Sequence, residues 1–241
     1  MLNKKNILVI IPARGGSKGL PNKNILKLCG KPLIAWSIEK AKRSKCVDRV
    51  IVSTDSIEIA NIAKKYGAEV PFLRPAEFAT DTASPTDAIL HLIEELEKKG
   101  DRIDIVIELQ PVCFIRESED IDKCIQQLVN NANAESIISV TEISSTAHPD
   151  FAASLNEENF IVAPSGFADR FRRQNLSKKY AASGYLLASY ASSLKKYKSF
   201  YNKATLGFVV SEKQKTFDIN DIWDFVAVEA IIKYSKKYAK N

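Results

Sequence analysis

Ile7-Leu8-Val9-Ile10-Ile11-Pro12-Ala13-Arg14-Gly15-Gly16-Ser17-Lys18-Gly19-Leu20-Pro21-Asn22-Lys23-Asn24 joins a run of five apolar residues to a loop holding three glycines and three cations. An uninterrupted apolar, β-branched run of this length reads as a strand covered on both faces, the pattern of a parallel sheet. The loop leaves the carboxyl end of that strand, where open α/β sheets bind their ligands. Gly15, Gly16 and Gly19 allow successive backbone N–H groups to form a concavity for an anion, and Arg14, Lys18 and Lys23 add positive charge around it. The stretch suits a polyphosphate, yet it is neither the Walker pattern nor GxGxxG.

Outward from this stretch, strands and helices alternate. Leu33, Ile34, Ile38 and Ala41 recur at helical spacing, Arg49 to Ser53 reads as a second strand and Ile57 to Tyr66 as a second helix. Ala88 to Lys98, Ile103 to Leu109, Ser118 to Asn130 and Ser136 to Thr141 continue as helix, strand, helix and strand. This order predicts a doubly wound α/β domain with a mostly parallel, mixed sheet. The rhythm weakens after Ser144, so an appended lobe is expected over about 144–205 within a single domain spanning 1–241. Tyr185 to Ser189 and Leu206 to Val210 have the composition to return to the sheet, and Ile222 to Tyr238 closes the chain as a long helix.

The 241 residues are 45% hydrophobic and 27% charged, and no apolar run approaches the roughly 18 residues a membrane span needs. Ile7 to Ile11 is shorter than a signal-peptide core, so a cytoplasmic protein is expected. Cys29, Cys46, Cys113 and Cys124 form no CxxC pair and read as reduced thiols. The net charge of +6 comes without an aromatic and basic recognition motif, which argues against a nucleic-acid partner. His91 sits on an apolar helix face and reads as structural, Cys113 as a small pocket-lining residue, and Tyr190, Tyr197, Phe200 and Tyr201 as an exposed aromatic group suited to an interface or to local packing.

The run IPARGGSKGLPNKN resembles the signature of the acylneuraminate cytidylyltransferases, the family that joins CMP to sialic acid and related nine-carbon acids. The likeness continues in family order through Gly30 to Leu33, Val52 to Asp55, Leu73 to Pro75, Thr80 to Ser84, Leu109 to Pro111, Arg172 to Gln174 and Phe217 to Asn220. The resemblance implies a Rossmann-like nucleotidyltransferase fold with CTP and a nonulosonic acid as substrates, Mg2+ as cofactor, and a homodimer. Arg14, Ser17, Lys23 and Asn24 would hold the phosphates and ribose, and Arg74 and Ser84 would join the nucleotide pocket. Gln110 and Arg173 would face the sugar acid, the planar fork of Arg173 matching a carboxylate. Asp218 would hold the metal, with Asn220 where the family has a second acid; Arg14, Lys23 and Asp218 would carry the chemistry. Asp221 and Asp224 lie in the first turn of the last helix and read as caps.

The departures gather on the sugar side. Val112-Cys113-Phe114 stands where the family has Thr-Ser-Pro, Phe151 where it has a lysine, and Leu187 where it has a tyrosine. Losing these polar groups favours an acceptor with acylamino or deoxy carbons, of the legionaminic or pseudaminic type, with sialic acid close behind. A 3-deoxy-octulosonate cytidylyltransferase and a non-catalytic nucleotide-binding homologue are the alternatives.

Overall fold

A computed structural model describes residues 5–17, 19–113, 115–144, 147–163, 177–212, 215 and 217–238. Its centre is a six-stranded sheet built from β1 (Ile7–Pro12), β4 (Arg49–Ser53), β5 (Ile105–Glu108), β6 (Ser136–Glu142), β9 (Tyr180–Tyr190) and β10 (Thr205–Val209), in the order β10-β6-β9-β5-β1-β4. β1 lies parallel to both β4 and β5, and β10 parallel to β6, while β9 runs antiparallel between β5 and β6. The sheet is therefore mixed, with one reversed strand inside it.

Alternation along β1 assigns its two faces. Ile7, Val9 and Ile11 pack with residues of α1 (Leu33–Arg43), α2 (Ile57–Lys65) and α4 (Ser118–Asn130), whereas Leu8 and Ile10 pack with α3 (Pro85–Lys98) and α5 (Ala191–Tyr197). Both sets are buried, which explains why the run shows no polar positions. Each such side chain contributes about 1.5–3 kcal/mol of transfer free energy.

A third apolar cluster positions the site. Leu20, Leu28 and Leu33 meet Ile219 and Val228, so α6 (Ile222–Tyr238) and the segment before it lie against the glycine loop. Leu28 and Leu33 flank a hairpin of β2 (Lys27–Leu28) and β3 (Lys31–Pro32), whose turn residues Cys29 (φ 48°) and Gly30 (φ 82°) both take left-handed angles. Two such residues give the tight turn whose twist matches antiparallel strands.

Two element starts and one burial differ notably from the sequence reading. α3 begins at Pro85 rather than Ala88, because Ser84 Oγ accepts from Thr86 N and proline is preset for the first helical turn. β9 starts at Tyr180 rather than Tyr185; Tyr180 to Ala182 are exposed and Tyr180 to Gly184 include no large aliphatic residue, so no apolar pattern marked them. Phe200 is buried under α3 and α5, so it belongs to the core and not to an exposed aromatic group, while Tyr197 and Tyr201 are exposed. Within the stretch expected as a lobe, β9 and α5 are part of the main sheet and its helical layer. The small hairpin of β7 (Ser154–Leu155) and β8 (Ile161–Val162) forms a separate two-stranded sheet.

Candidate active site

A cleft of about 640 Å³ opens beyond the carboxyl ends of β1, β4 and β5. Arg14, Ser17, Gly19, Lys23 and Asn24 line it from the glycine loop, Asp218 and Asn220 from the segment before the last helix, and Arg74, Phe78, Glu108 and Gln110 are among the other lining residues. The glycine loop is held by its own polar groups: Asn24 Nδ2 donates to Arg14 O (3.0 Å) and Gly15 N donates to Asp55 Oδ1 (2.9 Å). That second bond corrects the simple picture of N–H groups all facing an anion, since the Gly15 amide is spent on Asp55. Ser17 and Gly19 line the cleft, whereas Gly15 and Gly16 are not among its lining residues.

Arg14 Nη1 donates to Asp81 Oδ1 (2.7 Å) and to Thr80 O (3.2 Å), so this cation is tethered to the segment before α3. Lys23 Nζ donates to Ile219 O (2.9 Å) and links the loop to the segment that carries Asp218. Burial pulls the Lys23 ammonium below its ordinary range, the Asp218 carboxylate opposes that shift, and Arg14 adds to it.

Asp218 Oδ1 accepts from Cys113 Sγ (2.7 Å). The cysteine is buried and is not a lining residue of the cleft; burial pushes its thiol up, which removes it from consideration as a thiolate nucleophile. Beside it, the fully buried Arg116 donates to Tyr185 O (2.7 Å), Ser37 Oγ (3.0 Å) and Gln110 O (3.4 Å), pinning the loop after β5 to α1 and β9. Asp221 and Asp224 cap α6: Asp221 Oδ1 accepts from Trp223 N (2.8 Å) and Asp224 N (2.9 Å), and Asp224 Oδ2 from Asn220 N (2.8 Å).

Among the described residues no three His, Cys, Asp or Glu side chains group into a metal cage. Asp218 and Asn220 nevertheless line the cleft together with Lys23, whose ammonium feels the Asp218 charge. This set fits magnesium, which accepts one or two protein oxygens and completes its shell with water and substrate phosphates.

The rest of the lining is built differently. Arg74 is buried, with Nη2 donating to Ser53 O (2.6 Å), Nε to Ser53 Oγ (3.0 Å) and Nη1 to Phe78 O (3.4 Å). Ser84 serves as the α3 cap while its neighbours Ala83 and Pro85 line the cleft. The Gln110 amide lies over Gly184, where an added Cβ would come within 2.6 Å of Oε1. His91 is structural, its ring 4.7 Å from Phe78 and 5.7 Å from Phe72 between centroids. Lys18, Arg173 and Phe114 lie outside the described residues, as does the side chain of Phe151. Sequence reasoning gave no role to Glu108, Asp55, Asp81 or Arg116. Asp55 and Asp81 stood inside the motif segments Val52 to Asp55 and Thr80 to Ser84, and Glu108 is the charge that ends the apolar run Ile105-Val106-Ile107.

A family model described as cytidylyltransferase matches residues 8–208. The chain belongs to the cytidylyltransferase family. Curated cytidylyltransferases align over nearly the whole length. CMP-N,N'-diacetyllegionaminic acid synthase of Legionella pneumophila is 33% identical over 96% of this chain and 98% of its own. Pseudaminic acid cytidylyltransferase of Campylobacter jejuni is 32% identical over 96% of this chain and 98% of its own. Among solved structures, a CMP:2-keto-3-deoxy-manno-octonic acid synthetase complexed with CTP superposes with TM-score 0.73, covering 96% of this chain and 100% of its own. Its identity is 18%, so it supports the cytidylyltransferase fold alone.

Proposed function

We propose that this chain transfers CMP from CTP to a nonulosonic acid and releases pyrophosphate, with a 5,7-diacylamino sugar of the legionaminic or pseudaminic type as the preferred acceptor. The observation that carries the reading is the meeting of two distant segments in one cleft. Arg14 and Lys23 leave the first strand, and Asp218 and Asn220 arrive from the last loop. Cations beside oxygen ligands form a site for a metal-bound triphosphate, and the relatives' acceptors name the sugar class.

The anomeric hydroxyl of the sugar acid attacks the α-phosphorus, the bond to the bridging oxygen breaks, pyrophosphate leaves, and the hydroxyl proton passes to solvent. Arg14 and Lys23 neutralise charge on the phosphates, Ser17 and Asn24 orient them, and Arg74 lines the nucleotide pocket. Gln110 and Arg173 hold the acceptor. Asp218 and Asn220 would hold magnesium, which supplies further charge neutralisation at the phosphate oxygens. Most of the acceleration is positioning and electrostatics, so no covalent nucleophile is needed.

A nucleotide-sugar reaction drawing on CTP belongs in the cytoplasm. Leu155, Phe160, Ile161 and Val162 of the β7–β8 hairpin are exposed, which supports a homodimer built through the segment outside the main sheet. The test is pyrophosphate release with CTP and magnesium against N,N'-diacetyllegionaminic, pseudaminic, N-acetylneuraminic and 3-deoxy-octulosonic acids, each product checked by mass. Fastest turnover with a diacylamino acid is expected. Faster turnover with either of the last two overturns the acceptor assignment, and CTP binding without release from any acid overturns the enzymatic reading.

A further inference from the structure

One row of side chains crosses the sheet just beneath the cleft. Register places Ile51, Ile10, Glu108, Leu187 and Ile138 side by side on β4, β1, β5, β9 and β6. The four aliphatic members belong to one apolar cluster. Glu108 interrupts them with a carboxylate that is only 4% exposed yet lines the cleft. An ionised carboxylate accepts about four hydrogen bonds. Among the described residues Glu108 receives one, a long bond from Gln110 Nε2 (3.5 Å). Arg116 and Arg74 act on it through space without forming an ion pair. A buried acceptor left this open is costly unless something fills it, and the same row would pack well with another leucine. Stability given up at a substrate-facing position points to function.

We infer that Glu108 is a specificity residue of the acceptor subsite, where its carboxylate receives an N–H or O–H donor from the sugar acid. The inference rests on the cytidylyltransferase reading above. The acceptor is favoured over the nucleotide by position. Glu108 is the direct strand partner of Leu187 on β9 and is bonded to Gln110, which itself lies over Gly184 of β9. Arg14 and Lys23, the cations that suit the triphosphate, come from the glycine loop, and Arg74 reaches Glu108 only through space. A carboxylate only accepts, so it selects donors such as the amide N–H of an acylamino group and rejects a second carboxylate. Burial holds its carboxyl above the usual range, with Gln110, Arg116 and Arg74 opposing the shift, so the ionised form that accepts builds up only as pH rises.

The test uses the full chain as wild type, Glu108→Leu and Glu108→Gln. CTP binding is measured by calorimetry, and pyrophosphate release is followed against N,N'-diacetyllegionaminic acid from mildly acidic to mildly alkaline pH. Glu108→Leu is expected to keep its CTP affinity, raise the acceptor KM about tenfold or more and melt at a higher temperature than wild type. Glu108→Gln is expected to lose less and to flatten the pH dependence of acceptor KM. An unchanged acceptor KM and pH profile in Glu108→Leu overturns the assignment, as does a loss confined to CTP affinity, which would make Glu108 a nucleotide contact. Wild type that releases no pyrophosphate with any acid fails the functional reading first, and the assignment falls with it.

Discussion

Replacing Gly19 by alanine tests how tightly the glycine loop and the Asp218 segment, the two halves of the proposed phosphate site, are locked together. An added Cβ would stand 2.6 Å from the Asn220 carbonyl oxygen, about 0.8 Å short of the 3.4 Å at which ordinary contact begins. The obstacle is backbone, and the same segment is fixed by Lys23 Nζ on Ile219 O and by the burial of Ile219 among Leu20, Leu28 and Leu33. Neither side can swing away as a flexible side chain would, so the glycine loop must move from the Asp218 segment by most of that distance. A displacement near 1 Å between catalytic groups costs on the order of a hundredfold, so kcat/KM for CTP is expected to fall between about tenfold and a hundredfold. Moving the loop also loosens the packing of Leu20 on Ile219, so a modest fall in melting temperature should accompany the kinetic loss. The assay is pyrophosphate release at varied CTP and magnesium, with thermal melting alongside. A Gly19→Ala protein that keeps kcat/KM within about twofold would refute the argument that the two segments form one rigid phosphate site.

Gly184→Ala should push the Gln110 amide away, since the new Cβ would lie 2.6 Å from Oε1 and 3.0 Å from Cδ. The acceptor KM is expected to rise about fivefold, the worth of one hydrogen bond, while CTP affinity holds; an unchanged acceptor KM would remove Gln110 from the sugar side. Cys113→Ala takes away the thiol that donates to Asp218. Half-saturating magnesium, followed by metal-dependent CTP binding as well as by turnover, should rise about fivefold for a bond worth about 1 kcal/mol. Identical metal titrations in the two proteins would show that the thiol does not orient the carboxylate. Glu108 also gives a signed pH effect on stability. Its folded carboxyl is raised by burial, so the native state binds more protons than the unfolded chain, and this contribution fades as pH climbs through the raised value. Melting of wild type and Glu108→Leu should therefore diverge more at neutral pH than in mild acid, with the leucine protein the more stable. Equal differences at both pH values would show the carboxyl is not raised.

Much of this protein is written in neighbouring residues. The apolar run of β1, the helical spacing of Leu33, Ile34, Ile38 and Ala41, and the acids Asp221 and Asp224 at the start of α6 are local patterns, and each produced the element or cap it signals. The glycine loop was legible for the same reason, because its position after a strand and its cations lie within one short stretch. Other features depend on pairings across long chain separations. The reversed strand β9 takes its place between β5 and β6 through sheet register, and its first half, Tyr180 to Gly184, holds no large aliphatic residue to signal a strand. Cys113 reaches Asp218 across 105 positions, and the Gly15 amide finds Asp55 across 40. The isolation of Glu108 among Ile10, Leu187 and their row exists only once four other strands lie beside β5 and exclude water. Sequence by itself determined the alternating elements through local periodicity, placed the glycine loop after the first strand through turn chemistry, and pointed to the family through the resemblance of its motifs. Tertiary structure alone decided which polar groups are already satisfied and which face the cleft open, because burial and hydrogen bonding depend on partners that the chain brings together only by folding.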